Sequence, residues 1–96
     1  RNEPAYHEVR LTVPRRMYRV DVRVWRTDAG LQRAYRREPG PSALGQVAAF
    51  AQSVDLGHVR IHLSSAWTLS DLVHEAVHCA ILLREHALPE DDKDGE

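Results

Sequence analysis

The stretch Thr68-Leu69-Ser70-Asp71-Leu72-Val73-His74-Glu75-Ala76-Val77-His78-Cys79-Ala80-Ile81-Leu82-Leu83-Arg84-Glu85-His86-Ala87 decides how this chain folds. It holds neither glycine nor proline, and Pro89 stands just beyond it, so the pattern predicts one helix from Leu69 to about Ala87. Thr68 followed three residues later by Asp71 is a capping-box type of start. At about 100° per residue, Leu69, Leu72, Val73, Ala76, Val77, Ala80 and Leu83 fall on one broad apolar face, expected to pack on a sheet. Asp71, His74, Glu75, His78, Glu85 and His86 fall opposite, as on a solvated face. Cys79, Ile81 and Leu82 interrupt that face, as on a helix that lines a cleft.

Working outward, Val59, Ile61 and Leu63 alternate with Arg60 and His62 into Ser64-Ser65, which reads as a strand with its polar side open. Asp55-Leu56-Gly57 is a turn. Residues 43–53 fit either a helical stripe or a strand, and the strand is preferred because the span is short and a turn follows it. Glu38-Pro39-Gly40-Pro41-Ser42 is a loop. From Met17 to Thr27, Tyr18, Val20, Val22 and Val24 point one way while Arg19, Asp21, Arg23 and Trp25 point the other, a half-buried strand. Thr27-Asp28-Ala29-Gly30 reads as a turn, and Leu31 to Arg37 as the returning strand of a hairpin. Val9, Leu11 and Val13 suggest an earlier strand closed by Pro14. The fold class that follows is α+β: a small, twisted, mainly antiparallel sheet packed on one long helix.

The chain has 96 residues, enough for a single domain over 1–96, with 43% hydrophobic and 28% charged residues, the balance of a folded protein. One cysteine, Cys79, excludes an internal disulfide framework. No run approaches 18 apolar residues and no charged-then-apolar leader opens the chain, so a soluble, cytoplasmic protein without a membrane partner is expected. The chain opens on Arg1 and stops at Glu96 without a closing element, which reads as a piece of something longer. Residues 1–40 carry ten arginines against five acids, and residues 41–96 carry three basic residues against nine acids. This asymmetry fits a solvated sheet face beside an acidic tail better than a nucleic-acid module, whose total is usually strongly basic. Nucleic acid remains an alternative partner through the arginine-rich strands, with Tyr18, Trp25 and Tyr35 as stacking groups.

The helix carries His74-Glu75-Ala76-Val77-His78, a His-Glu-x-x-His sequence. Four residues make one turn plus about 40°, so the two imidazoles project from neighbouring rungs and can share one zinc ion. Glu75 is offset from His74 by about 100°, unsuited to ligation but able to take a proton from a water activated at the ion.

Thr68 to Ala80, an apolar-flanked His-Glu-x-x-His helix preceded by an edge-like strand, resembles the active-site helix of zincin metallopeptidases. The short, strand-rich frame is similar to the minimal zincin-like domains of phage and prophage proteins and of small bacterial metallopeptidases. The specific likeness covers about residues 58–83. It implies zinc as cofactor, His74 and His78 as its ligands, Glu75 as general base, a peptide or protein substrate, and Val59 to Ser64 as the edge strand along which the peptide lies. A metzincin-like pattern would need Gly at position 81 and His at 84, where this chain has Ile81 and Arg84. The remaining, gluzincin-like pattern takes its third ligand from a later carboxylate. Glu90, Asp91, Asp92, Asp94 and Glu96 stand in range, and Glu96 is preferred because it would open a further helix.

Tyr35, His58 and His62 are available as oxyanion donors, although each reads more simply as a sheet-surface residue. Cys79 points about 100° from its neighbour His78 and reads as a buried thiol. The alternative to an enzyme is a non-catalytic interaction module in which the same helix holds a structural zinc or none.

Overall fold

Val20, Val22 and Val24 on one strand and Val59, Ile61 and Leu63 on another turn to the same side of one sheet, and this alternation sets the layering. The computed structural model describes residues 4–15, 17–37 and 47–85. In chain order these form β1 (Tyr6–Val13), β2 (Tyr18–Trp25), α1 (Asp28–Arg36), β3 (Ala49–Asp55), β4 (His58–Leu63) and α2 (Leu69–Glu85). The sheet order is β1-β2-β4-β3. β1 pairs with β2 and β3 with β4 antiparallel, while the central pairing of β2 with β4 is parallel, with Val20 opposite Val59 and Val24 opposite Leu63. The sheet is therefore mixed, and α2 covers one of its faces. None of the described helices is long and apolar enough to cross a membrane.

The core lies between α2 and this face. Val59, Ile61, Leu63 and Cys79 are buried, with Leu72, Leu82 and Leu83 of the helix packed against them. Each fully buried aliphatic side chain contributes about 1.5–3 kcal/mol. The helix does not seat the face that its hydrophobic stripe suggests. Leu69, Val73 and Val77 are 69%, 53% and 55% exposed, and the row that meets the sheet is Leu72, Glu75, Cys79 and Leu82. Of the predicted stripe only Leu72 and Leu83 pack on the sheet, while Leu69, Val73, Ala76, Val77 and Ala80 are exposed, so the helix is seated about a different row. Val9, Leu11 and Val13 of the edge strand β1 are likewise exposed.

Residues Asp28–Arg36 are helical where the sequence suggested a turn over Thr27–Gly30 and a returning strand over Leu31–Arg37. Thr27 caps α1, its hydroxyl accepting from the Gly30 amide at 3.0 Å. Asp28 in the first turn and Arg33 and Arg36 in the last complement the helix dipole. Gly30 lets the helix approach the Trp25 ring closely: a Cβ there would lie 3.0 Å from Trp25 Cε3 and 3.2 Å from Thr27 Oγ1. The strand reading of 43–53 holds for Ala49–Asp55, and the residues before position 47 lie outside those described. The turn between β3 and β4 places Gly57 at φ +75°, a conformation that favours glycine.

The second face of the sheet carries a polar-aromatic ladder beneath α1. Trp25 Nε1 donates to His62 Nδ1 at 2.9 Å, so His62 Nε2 carries the proton and donates to Gln52 Oε1 at 2.8 Å. Phe50 stacks on His62 with centroids 4.2 Å apart, and Tyr35 of α1 meets Phe50 edge-on. His62 is 2% exposed, not the sheet-surface residue the alternation implied, because α1 and its aromatic neighbours cover it. Burial, with Arg23 and Arg60 nearby, lowers its pKa to about 3.

Candidate metal centre

Helix α2 starts as the sequence suggests. The Asp71 amide donates to Thr68 Oγ1 at 3.2 Å, and the Thr68 amide donates to Asp71 Oδ2 at 3.0 Å. Asp71 is thus used by the cap. One turn later His74 and His78 stand exposed on the same flank, their Nε2 atoms 3.1 Å apart and their rings nearly perpendicular at 4.7 Å. Two nitrogens at about 2.0–2.1 Å from one tetrahedral ion would lie about 3.3–3.4 Å apart, so the pair fits a shared ion with little adjustment.

Glu75 occupies a different environment. It is 7% exposed, set between the helix and the sheet. Burial raises its pKa, His78 and His74 oppose the rise, and Asp71 adds to it. Cys79 beside it is 4% exposed, and burial together with the Glu75 charge pushes its thiol to about 11. That is the buried thiol the sequence implied.

His74, Glu75 and His78 open onto a cleft of about 420 Å³. Ile81 and Leu82 extend its helical wall, Ala49, Phe50 and Ala51 of β3 form the opposite wall, and Tyr35 of α1 closes one side. β3 is the sheet edge at this cleft. The edge strand is therefore Ala49–Asp55, not Val59 to Ser64. β4 lies between β2 and β3, and Val59, Ile61, His62 and Leu63 are buried on both its faces. Alternation in 58–63 concealed this, because the polar partner on the second face, His62, is itself buried.

Of the three proposed oxyanion donors, Tyr35 reaches the cleft. His62 is locked in the ladder, and His58 bonds Asp21 on the second face at 2.8 Å. Among the described residues no group of three or more His, Cys, Asp or Glu side chains is placed to hold a metal ion, so the structure brings together two histidines and no third ligand. Glu96, the other tail acids and His86 lie outside the described residues. The walls from β3 went unread in the sequence. The signal for them was the pair Ala49 and Ala51, small residues that let a helix flank approach a strand.

The chain matches no family model, and neither the curated proteins nor the solved structures contain a match to it.

Proposed function

We propose that this chain is a minimal zincin-like domain, a zinc-dependent hydrolase of peptide bonds, in which His74 and His78 hold the ion and Glu75 is the general base. The observation that supports it most is the pairing of the two Nε2 atoms at 3.1 Å, with Glu75 buried in the same cleft against an open sheet edge. Glu96 is the carboxylate assigned to complete the ligand set, and a reduced, cytoplasmic setting belongs to the same reading.

Bound zinc supplies a Lewis acid and brings the pKa of water from 15.7 toward roughly 7. The rest is work for the chain. Glu75 sits where burial raises its proton affinity, which suits a carboxylate that must accept a proton from water and return it to a leaving amine. Among the described residues no strand pairs with the outer edge of β3, which offers backbone donors and acceptors to an extended peptide, giving affinity with little dependence on side chains. The Tyr35 hydroxyl, from the third side of the cleft, is a donor for the developing oxyanion.

Elemental mass spectrometry of chelator-free protein tests the ion, and a peptide-library cleavage assay tests the chemistry. About one zinc per chain is expected, lost in His74→Ala. Glu75→Gln should keep the zinc and lose at least about 10²-fold in turnover. Zinc-free wild-type protein carrying the complete tail, or full turnover by Glu75→Gln, refutes the reading.

A further inference from the structure

Asp21 is the one acidic residue in the alternating arginines of β2, and the sheet register surrounds it with cations. Arg10 on β1 and Arg60 on β4 stand directly opposite it, and Arg19 faces His58 one step along. All project from the face opposite α2, away from the His74 and His78 cleft. Asp21 is fully buried. Its Oδ1 accepts from Arg19 Nε at 3.1 Å and lies 3.5 Å from Arg10 Nε. Its Oδ2 receives His58 Nε2 at 2.8 Å and Nη2 of Arg19 and of Arg60 at 3.4 Å each. Burial alone would raise the pKa of this carboxyl, but the bonds from His58 and Arg19 outweigh it and hold it at about 2.

One carboxylate offers about four lone-pair positions, whereas three guanidiniums bring five N–H donors each. Donors therefore exceed acceptors, and the orphan is visible: Arg60 Nε is buried without a hydrogen-bond partner. Two positive charges remain uncompensated within the group even with His58 neutral. Of the acids in the neighbouring strands, Glu8 is engaged by Arg23 at 2.6 Å, and Asp55, opposite His58 in the β3–β4 register, is exposed with its Oδ1 accepting from the Leu56 amide. Arg10 and Arg19 keep 55% and 36% of their side chains exposed, so their spare donors point to solvent. A purely structural neutralisation of Asp21 needs one arginine. Three place like charges side by side at a cost that a bound anion would remove.

We propose that Arg10, Arg19 and Arg60, held in a ring by Asp21, form a binding site for a phosphate-type oxyanion on the sheet face opposite the His74 and His78 cleft. Guanidinium forks match two oxygens of such a group at once. Asp21 is the positioning residue, acting through the forks it holds.

The test is an NMR titration following arginine Nε–Hε signals, in a His74→Ala, His78→Ala background so that no metal site competes for phosphate. Sodium phosphate is added against sodium chloride at matched ionic strength, with a short DNA oligonucleotide in a second arm. Saturable shifts at Arg10 and Arg19 with phosphate or oligonucleotide but not chloride are expected. Arg10→Gln, Arg19→Gln should weaken them at least tenfold, while Arg84→Gln, on α2, should not. Asp21→Asn should scatter the Arg19 and Arg60 signals and weaken binding while the far-face signals of α2 stay in place. Saturation by the oligonucleotide at a more than tenfold lower phosphate concentration assigns the source to a nucleic-acid backbone, and otherwise free phosphate is the ligand. Shifts equal to those in chloride in both arms, or unchanged affinity in the double variant, overturn the proposal.

Discussion

Acidification should unfold this domain through one side chain, His62. Both ring nitrogens are committed: Nδ1 accepts from Trp25 and Nε2 donates to Gln52. A second proton must go on Nδ1, where it would face the Trp25 N–H, donor against donor, inside a layer sealed by Phe50 and Tyr35 and with Arg23 and Arg60 close by. The folded pKa is about 3 against 6.5 for the free group. Because the unfolded chain binds the proton more readily, stability is full well above pH 6.5 and falls as pH drops below it, until about pH 3. At about 1.4 kcal/mol per unit, the loss is about 1.4 kcal/mol at pH 5.5 and about 2.7 kcal/mol at pH 4.5. That is a large part of what a domain of this size has in reserve. Urea unfolding followed by tryptophan fluorescence at pH 7.5, 5.5 and 4.5 measures it, with His62→Gln as the non-titrating reference. The variant is weaker at pH 7.5 but should lose less on acidification, by those same increments. Equal pH slopes in the two proteins would show that His62 is not held neutral by its ladder.

Three further outcomes follow from the structure. Thr27→Ala removes the cap of α1 and should cost about 1 kcal/mol in the same unfolding assay, with no loss if α1 is not capped as described. Cys79, buried and with its thiol pushed to about 11, should react with an aromatic disulfide reagent at pH 8 at least about 10²-fold more slowly in the folded protein than in urea, and rapid native labelling would contradict its burial. On the proposed hydrolase reading, Tyr35→Phe should lower kcat toward a bound peptide by about 10²-fold while zinc content and KM stay the same, and a change confined to KM would place the ring in binding instead.

Where one periodicity spoke without competition, the sequence was legible. The capping box at Thr68 and Asp71 and the absence of breakers before Pro89 placed α2, and the i, i+4 spacing placed His74 and His78 side by side on it. The alternation of Val20, Val22 and Val24 placed β2. Reading failed where a short segment carried two periods. Leu31 and Tyr35 satisfy a helix as well as a loose alternation, and the decision lay in the Thr27 cap and the Arg33 and Arg36 end charges. It failed also where tertiary contact redefined polarity. His62 is polar by type but buried by α1, so β4 looked one-sided when it is central. The seated face of α2 runs through Glu75 because the sheet, not the summed hydrophobicity of the helix, selects which row is covered. The arginine ring around Asp21 depends on pairing between β1, β2 and β4, which no local pattern encodes.

The parallel union of β2 and β4 divides the chain into two halves of unequal closure cost. Each antiparallel pair, β1 with β2 and β3 with β4, is a local hairpin, whereas joining them brings together residues as far apart in sequence as Val20 and Val59. Loop-closure entropy should therefore make that seam the costlier one to close. Every residue of the candidate metal centre except Tyr35 belongs to the second half, so the imidazole pair and Glu75 ride on a unit whose own strand pairing is local in sequence. β1, held along one side only and without the α2 packing that holds the other edge strand β3, should be the first layer to open. Native-state hydrogen exchange should therefore show its amides released well before those of β4, with the two histidines still in place on a helix that has not yet let go.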